Sequence, residues 1–544
     1  MPAGSPSVVF RDSASTAQKL RIGLLLDRRH VPAYARAIIE DLKATSYVQL
    51  VAVFDSRAVD NDLVVRQGMN RALRAYYRYI EARVRTEPDP LAITDITELL
   101  TDIETYPADR SVLMDAVLNF GDATVDTNLL GATRWGVWRY QFGDSRHYPE
   151  GSGFLRELVD QNPLSAVELV RRLAGVASEE VLCRVGCSTS AYPSMRLNRM
   201  APIWGARHLM LQKLWELHHI GPQALSARSA GSVEPGLRAH RSLTPGNLRL
   251  ALWFARLSMA ALWRRLRLND HRVHWKIAIR RSSEPLYDAP TQAALREFRW
   301  LESPRGHFWA DPFLFEQAGQ TWLFFEDMDH AAGRAHIACG RLTFDGALVD
   351  VRPILSRSHH LSYPQVFSAD GEVYLLPEAA ESGGVDLYRA VSFPDQWVLE
   401  RRLLNFSCVD SVVFRSATGW GMFTSPIVVA GHAPITWAMH ANQLHGPWQY
   451  SAHSPVASDA GTARGAGEVF ESDGRHIRPS QDCATEYGSA LLFNEILEPE
   501  GEVYKERTMA RVEGGWLPGL TGVHTYNRRG QWEAIDGKFL VAVE

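Results

Sequence analysis

The feature that most constrains this chain is a repeat in its C-terminal half. Five units, FLFEQAGQTWLFFED, QVFSADGEVYLLPEA, VVFRSATGWGMFTSP, EVFESDGRHIRPSQD and VHTYNRRGQWEAIDG, align on an aromatic residue followed by a turn glycine. The aromatic anchors are Phe315, Phe367, Phe414, Phe470 and Tyr526, spaced 47 to 56 residues apart. Short alternating runs with a hairpin in every unit, at a period near fifty, are what propeller blades look like. Gly319, Gly371, Gly419, Gly474 and Gly530 would supply the positive φ of the hairpin turns. Residues 270–544 are therefore predicted to fold as an all-β, five-bladed β-propeller.

Aligning the units places polar residues at two recurring positions. Four residues before the anchor stand Asp311, Tyr363, Asp410, Ala466 and Gly522. Eleven after it stand Glu326, Glu378, Ser425, Gln481 and, one residue earlier in the last unit, Asp536. Equivalent positions of a propeller converge on one end of its channel, and a ring of carboxylates, amides and aromatics suits sugar hydroxyls. Neighbouring carboxylates shift each other's pKa, so one can act as acid and another as base. Asp311 in WADPF, Glu378 in LLPE and Asp410 in CVDS form the favoured catalytic trio. Glu326, Tyr363, Gln481, Asp482 and Asp536 are candidates for substrate binding, with His524 as proton carrier and Arg464 as anion clamp. The same groups can equally satisfy backbone N–H groups at strand ends and tie blades together.

A chain of 544 residues exceeds one hydrophobic core. In the first half, RIGLLLD, VQLVAVFD, DAVLNFGD and GVWRYQFGD read as strands, and VPAYARAIIEDLKA has helical spacing. Strands alternating with helices predict an α/β domain with a largely parallel open sheet over 20–225. No GxGxxG follows the first strand, so no dinucleotide is implied and no cofactor is expected. Residues 226–269 form a connector rich in Ser, Gly and Pro that leads into a basic amphipathic helix. Thr244 can cap this helix; Arg249, Arg256, Arg264 and Arg267 share one side, and Leu250, Trp253, Phe254, Leu257 and Ala261 the other. Such a helix over 246–268 either braces the domains or makes peripheral contact with an anionic membrane.

With 58 basic and 62 acidic residues, net charge −4, nothing draws the chain to nucleic acid. Its five cysteines contain no CxxC pair, so neither a zinc site nor a disulfide framework is indicated, and no metal is expected. The first residues lack a secretory pattern and no apolar run approaches eighteen residues. A cytoplasmic protein, with membrane association through that helix as an option, is the expectation.

Two resemblances add to these readings. WADPFLFE, HHLSYPQVF, LLPE, LYRAVSFPDQW, GPW, ARGAG, RPSQDCATEYG, GVHTYN and IDG, in this order, resemble the propeller-like domain of glucosamine inositolphosphorylceramide transferases. That domain is similar to family 43 glycoside hydrolases, whose propellers hold an Asp base, a pKa-tuning Asp and a Glu acid; the resemblance puts Asp311 at the base position. The separate glycosyltransferase domain of the plant transferases has no counterpart here. The first 220 residues resemble a formyltransferase domain through RIGLLLD, VLNFGD, GVWRYQFGDSRHYPEGSGF and LNR. Gln141 and Arg139 fall where that family has His and Asn, and no Asp occurs near Ala177. Gln takes up no proton near neutral pH, so formyl transfer is not expected.

The leading expectation is a glycosyl-transferring enzyme of polysaccharide or glycolipid biosynthesis, with a carbohydrate or nucleotide-sugar as ligand. The alternatives are a non-catalytic glycan-binding scaffold and an intracellular glycoside hydrolase or phosphorylase.

Overall fold

The computed structural model describes residues 10–542 apart from 14, 28, 56–70, 87, 108, 122–124, 150, 228–231, 234–244, 267–270, 429–430, 433–434, 452–453 and 498–503. The chain divides into two compact units, one drawn mainly from Ser5–Arg265 and the other from Leu266–Ile427 and Pro434–Glu544.

In the first unit the four anticipated strands form as Leu20–Leu26, Val48–Asp55, Ala116–Asn119 and Val137–Phe142, all parallel, with Thr105–Pro107 parallel at the edge. The sheet does not stay parallel. It continues antiparallel through Leu164–Arg172, Glu179–Ser188 and Ser232–Val233, so the five parallel strands that bear out the largely parallel expectation are extended by three antiparallel ones into a sheet of eight. Runs such as SAVELV carry no mark of direction, because alternation and burial are the same for parallel and antiparallel neighbours.

The helix Asn247–Leu266 is counted with this unit. Its apolar stripe is covered: Leu250 and Trp253 pack among Leu73, Tyr76, Leu155, Leu158 and Val159, with Phe254 and Leu257 against the same cluster. Arg249 lies 2.6 Å from Asp160, while Leu248, Leu252, Arg256 and Met259 are exposed. Thr244 and Arg267 lie outside the described residues, as do the side chains of Ala261 and Arg264.

The second unit contains five sheets among its described residues. Blade one is His307–Gln317, Gln320–Asp329, Arg334–Leu342 and Leu348–Leu355; blade two is Ser362–Ala369, Glu372–Glu378, Val385–Ser392 and Gln396–Leu404. Blade three runs from Cys408–Ser416 and Gly419–Val428 to Trp437–Ala441 and Gln449–Tyr450. Blade four has a broken first strand, Arg464–Gly465 and Phe470–Ser472, followed by Arg475–Asp482, Ala490–Ile496 and Glu506–Glu513. The last blade joins both ends of the unit: His271–Arg281 pairs antiparallel with Trp532–Ala542, flanked by Tyr526–Arg529 and Arg299–Trp300. Building the last blade with strands from both ends ties the start and finish of the unit together, and the radial arrangement leaves only short edges.

The first strands of neighbouring blades pack against one another, so their residues line the axis. All five hairpin glycines have positive φ. In blades one, two and four Ala318–Gly319, Asp370–Gly371 and Asp473–Gly474 have both residues at positive φ, the two-residue turn that matches strand twist.

Candidate functional site

The strand register brings together the two positions that the repeat singles out. Glu326 faces Ala310, Glu378 faces Ser362, Ser425 faces Val409 and Gln481 faces Arg464. Just past each facing residue in blades one to three the ladder is interrupted by a bulge, and the bulged residues are Asp311, Tyr363 and Asp410. Their φ values are 50°, 48° and 51°, a left-handed backbone that non-glycine residues adopt at a cost and that surrounding structure must hold in place. In blade four the equivalent residue is Gly465 rather than Ala466, because Arg464 pairs with Gln481. A Cβ at Gly465 would lie 3.1 Å from both the Tyr363 hydroxyl and the Asp410 Cβ, so the bare backbone fits where these side chains meet.

Around this mouth the polar groups form two linked clusters. In the first, the Glu378 carboxylate accepts from the Asp410 backbone N–H at 3.1 Å, and Arg464 Nε donates to Asp410 Oδ2 at 2.7 Å. The Arg464 guanidinium sits 4.6 Å from the centre of the Tyr487 ring. Burial and then the Asp410 charge push the Glu378 carboxyl up to about 8, only partly offset by Arg464. Burial, the largest single effect, would lower the Arg464 guanidinium, but Asp410 together with Tyr487 and Glu378 lifts it well above its ordinary range.

In the second cluster Asp536 accepts from the backbone N–H groups of His524 and Thr525 and from His524 Nδ1 through one oxygen. Through the other it accepts from the Asp311 backbone N–H at 2.9 Å. Asp311 accepts from Thr525 Oγ1 at 2.8 Å and from the Tyr363 backbone N–H at 3.3 Å, and its Oδ1 lies 3.6 Å from His524 Nε2. Burial raises the Asp311 carboxyl to about 7; His524 opposes the shift and Glu326 and Asp536 add to it. Burial alone would lower the His524 imidazole, but the Asp536 charge and hydrogen bond lift it. Trp275 stacks on that imidazole at 3.9 Å. Glu326 lies 3.3 Å from His360 Nε2.

Asp311, Glu378, Asp410, Arg464, Glu326, His524 and Asp536 therefore share one mouth of the channel. Three other candidates serve neighbouring backbone. The buried Tyr363 hydroxyl bridges the amide and carbonyl of Gly467, and Gln481 donates to the Gly465 carbonyl at 2.7 Å. Asp482 accepts from the Ala484 amide and pairs with Arg511. His360, Tyr487, Thr525 and Trp275 were not singled out in the sequence, although HH precedes the blade-two strand and Tyr487 lies inside the TEYG motif.

Asp311, His524 and Asp536 each offer one ligand atom, mutually within 4.8 Å. The donors that already engage both aspartates describe a hydrogen-bonded set.

Fold and mouth together define a five-bladed propeller with a carboxylate-rich axial opening. Residues 301–513 match the family described as glucosamine inositolphosphorylceramide transferase 1, N-terminal. The rice (Oryza sativa subsp. indica) protein named glucosamine inositolphosphorylceramide transferase 1 is 34% identical over 206 residues, 37% of this chain and 28% of the rice protein. Its Arabidopsis thaliana namesake is 32% identical over 213 residues, 37% of this chain and 27% of that protein. The match thus spans little more than a quarter of these relatives' length. Among solved structures, a thermostable family-43 glycoside hydrolase aligns at 11% identity and TM-score 0.31, over 43% of this chain and 90% of that one. The catalytic domain of the Coprinopsis cinerea GH62 α-L-arabinofuranosidase aligns at 12% and 0.33, over 44% and 92%.

Proposed function

We propose that this chain is a glycosyl-transferring enzyme of polysaccharide or glycolipid biosynthesis that binds its sugar at the carboxylate mouth. The observation that carries the reading is the convergence of Asp311, Glu378 and Asp410 from three blades with opposite charge balance: Asp410 has Arg464 against it, and Glu378 has only a backbone donor. A carboxyl titrating near neutrality is suited to take the proton of an attacking acceptor hydroxyl. In this reading Asp311, raised to about 7, takes that proton, and Glu378, which keeps its own up to about 8, gives it to the leaving group as that group's bond to the sugar's anomeric carbon breaks. Asp410 holds sugar hydroxyls and balances positive charge at the anomeric carbon. The transferase name of the plant relatives supports a nucleotide-sugar donor and a lipid acceptor.

The first unit belongs to the proposal as a formyltransferase-like module without formyl transfer. Gln141 is buried and donates to the Pro149 carbonyl, and Arg139 is held by Glu179 at 2.5 Å. No helix among the described residues is long and apolar enough to cross a membrane. Peripheral contact of a cytoplasmic protein would use the exposed side of Asn247–Leu266, where Arg256 accompanies Leu248, Leu252 and Met259.

One observation favours a second reading, a non-catalytic glycan-binding scaffold: Asp536 is saturated with protein donors and Asp311 accepts two. Mass spectrometry after incubation with nucleotide-activated glucosamine and inositolphosphorylceramide separates the two. Transfer is expected for the wild type and lost by at least about 100-fold in Glu378→Gln. Glycan binding without transfer from any nucleotide-sugar would leave the scaffold, and sugar released to water alone would indicate a hydrolase.

A further inference from the structure

The opposite mouth of the propeller, where the hairpins turn, holds a cavity of about 500 Å³. That is the size of a small-molecule site. Its walls include the aromatic anchors of three successive blades, Phe367, Phe414 and Phe470. In blades one and five the corresponding Phe315 and Tyr526 are buried, yet these three remain partly open. A packing role that suffices twice is left incomplete three times, all at one cavity.

The polar lining is rich in donors. Arg415, Arg528 and Arg529 all reach the cavity. The Arg415 guanidinium carbon sits 4.0 Å from the centre of the Trp420 ring, and its ion pair with Asp370 at 3.4 Å is exposed. Arg528 donates only to the carbonyls of Gly530 and Ser283, forms no ion pair among the described residues, and leaves Nη1 without a partner. Arg529 directs Nη2 to the buried Glu468, and its Nε has no partner. Glu468 is thereby neutralised, and Glu471 is the other acid on the wall. With Arg529 and Glu468 offsetting each other, the Arg415 and Arg528 forks stand against Glu471 and favour a ligand that brings several acceptor oxygens; arginine forks match phosphoryl groups.

We infer that this second mouth is a binding site for a phosphoryl-bearing small molecule, held by Arg415, Arg528 and Arg529 with its ring portion against Phe367, Phe414 and Trp420. It is separate from the carboxylate mouth and does not depend on the activity proposed there.

Calorimetric titration of the full chain with inorganic pyrophosphate at low ionic strength tests this. Saturable binding is expected, weakened at least tenfold in Arg415→Met with Arg528→Met and unchanged in Arg507→Met, an exposed arginine outside the cavity. Should the double variant fail to fold, Arg415→Met alone, more than half exposed, is expected to weaken binding at least threefold. Absence of saturable heat, an equal loss of binding in Arg507→Met, or a response to glucose without one to pyrophosphate would each overturn the inference.

Discussion

Replacing Glu378 by glutamine keeps the shape of the side chain and an oxygen that can accept from the Asp410 amide, while removing the ionisation. The wild-type carboxyl rises from an ordinary 4.5 to about 8, through burial first and the Asp410 charge second. Below about pH 4.5 the carboxyl is protonated in both the folded and the unfolded chain, so its contribution is fully present. Between pH 4.5 and 8 the unfolded chain ionises while the folded one keeps its proton, and stability falls as pH rises; above about 8 the loss is complete. The full shift corresponds to about 5 kcal/mol at about 1.4 kcal/mol per pH unit, and water at the half-buried carboxyl reduces this to about 2–4 kcal/mol. Glu378→Gln should therefore melt close to the wild type at pH 5 and about 4–10 °C above it at pH 8.5. Scanning calorimetry of both proteins across that range measures the difference, in which contributions of Asp410, Asp311 and Arg464 common to both largely cancel. A melting difference that does not change with pH would refute the argument that this carboxyl is held protonated.

Arg464→Met strands the buried Asp410 and should cost about 3–5 kcal/mol in denaturant unfolding, with Asp410→Asn in the same chain restoring part of the loss. Tyr363→Phe leaves the Gly467 amide without its hydroxyl partner and should cost about 1–3 kcal/mol at every pH. Asp536→Asn, which disturbs four accepted hydrogen bonds, should lower the melting temperature more than Asp311→Asn does. Equal losses would remove the distinction between a blade tether and a residue open to ligand.

The propeller was legible because each blade repeats the same local problem, a hairpin glycine beside an aromatic anchor. The same alignment found Asp311, Tyr363 and Asp410, since a bulge at one register position recurs in three blades. It slipped by one residue at Ala466 because the first strand of blade four breaks between Gly465 and Phe470. His360 and Tyr487 escaped because they stand between strands, where no period aligns them. Trp275 reaches His524 only through ring closure, which joins residues far apart in sequence. Strand direction beyond Phe142 was not readable, because a strand's own residue pattern does not record the direction of its neighbours.

The central claim is that the carboxylate mouth receives the sugar. A crystal structure of Glu378→Gln soaked with a nucleotide-sugar tests it most directly. The account predicts sugar density within hydrogen-bonding distance of Asp311, Asp410 and the substituted residue 378. Sugar bound only in the N-terminal unit, or only at the hairpin mouth, would contradict it.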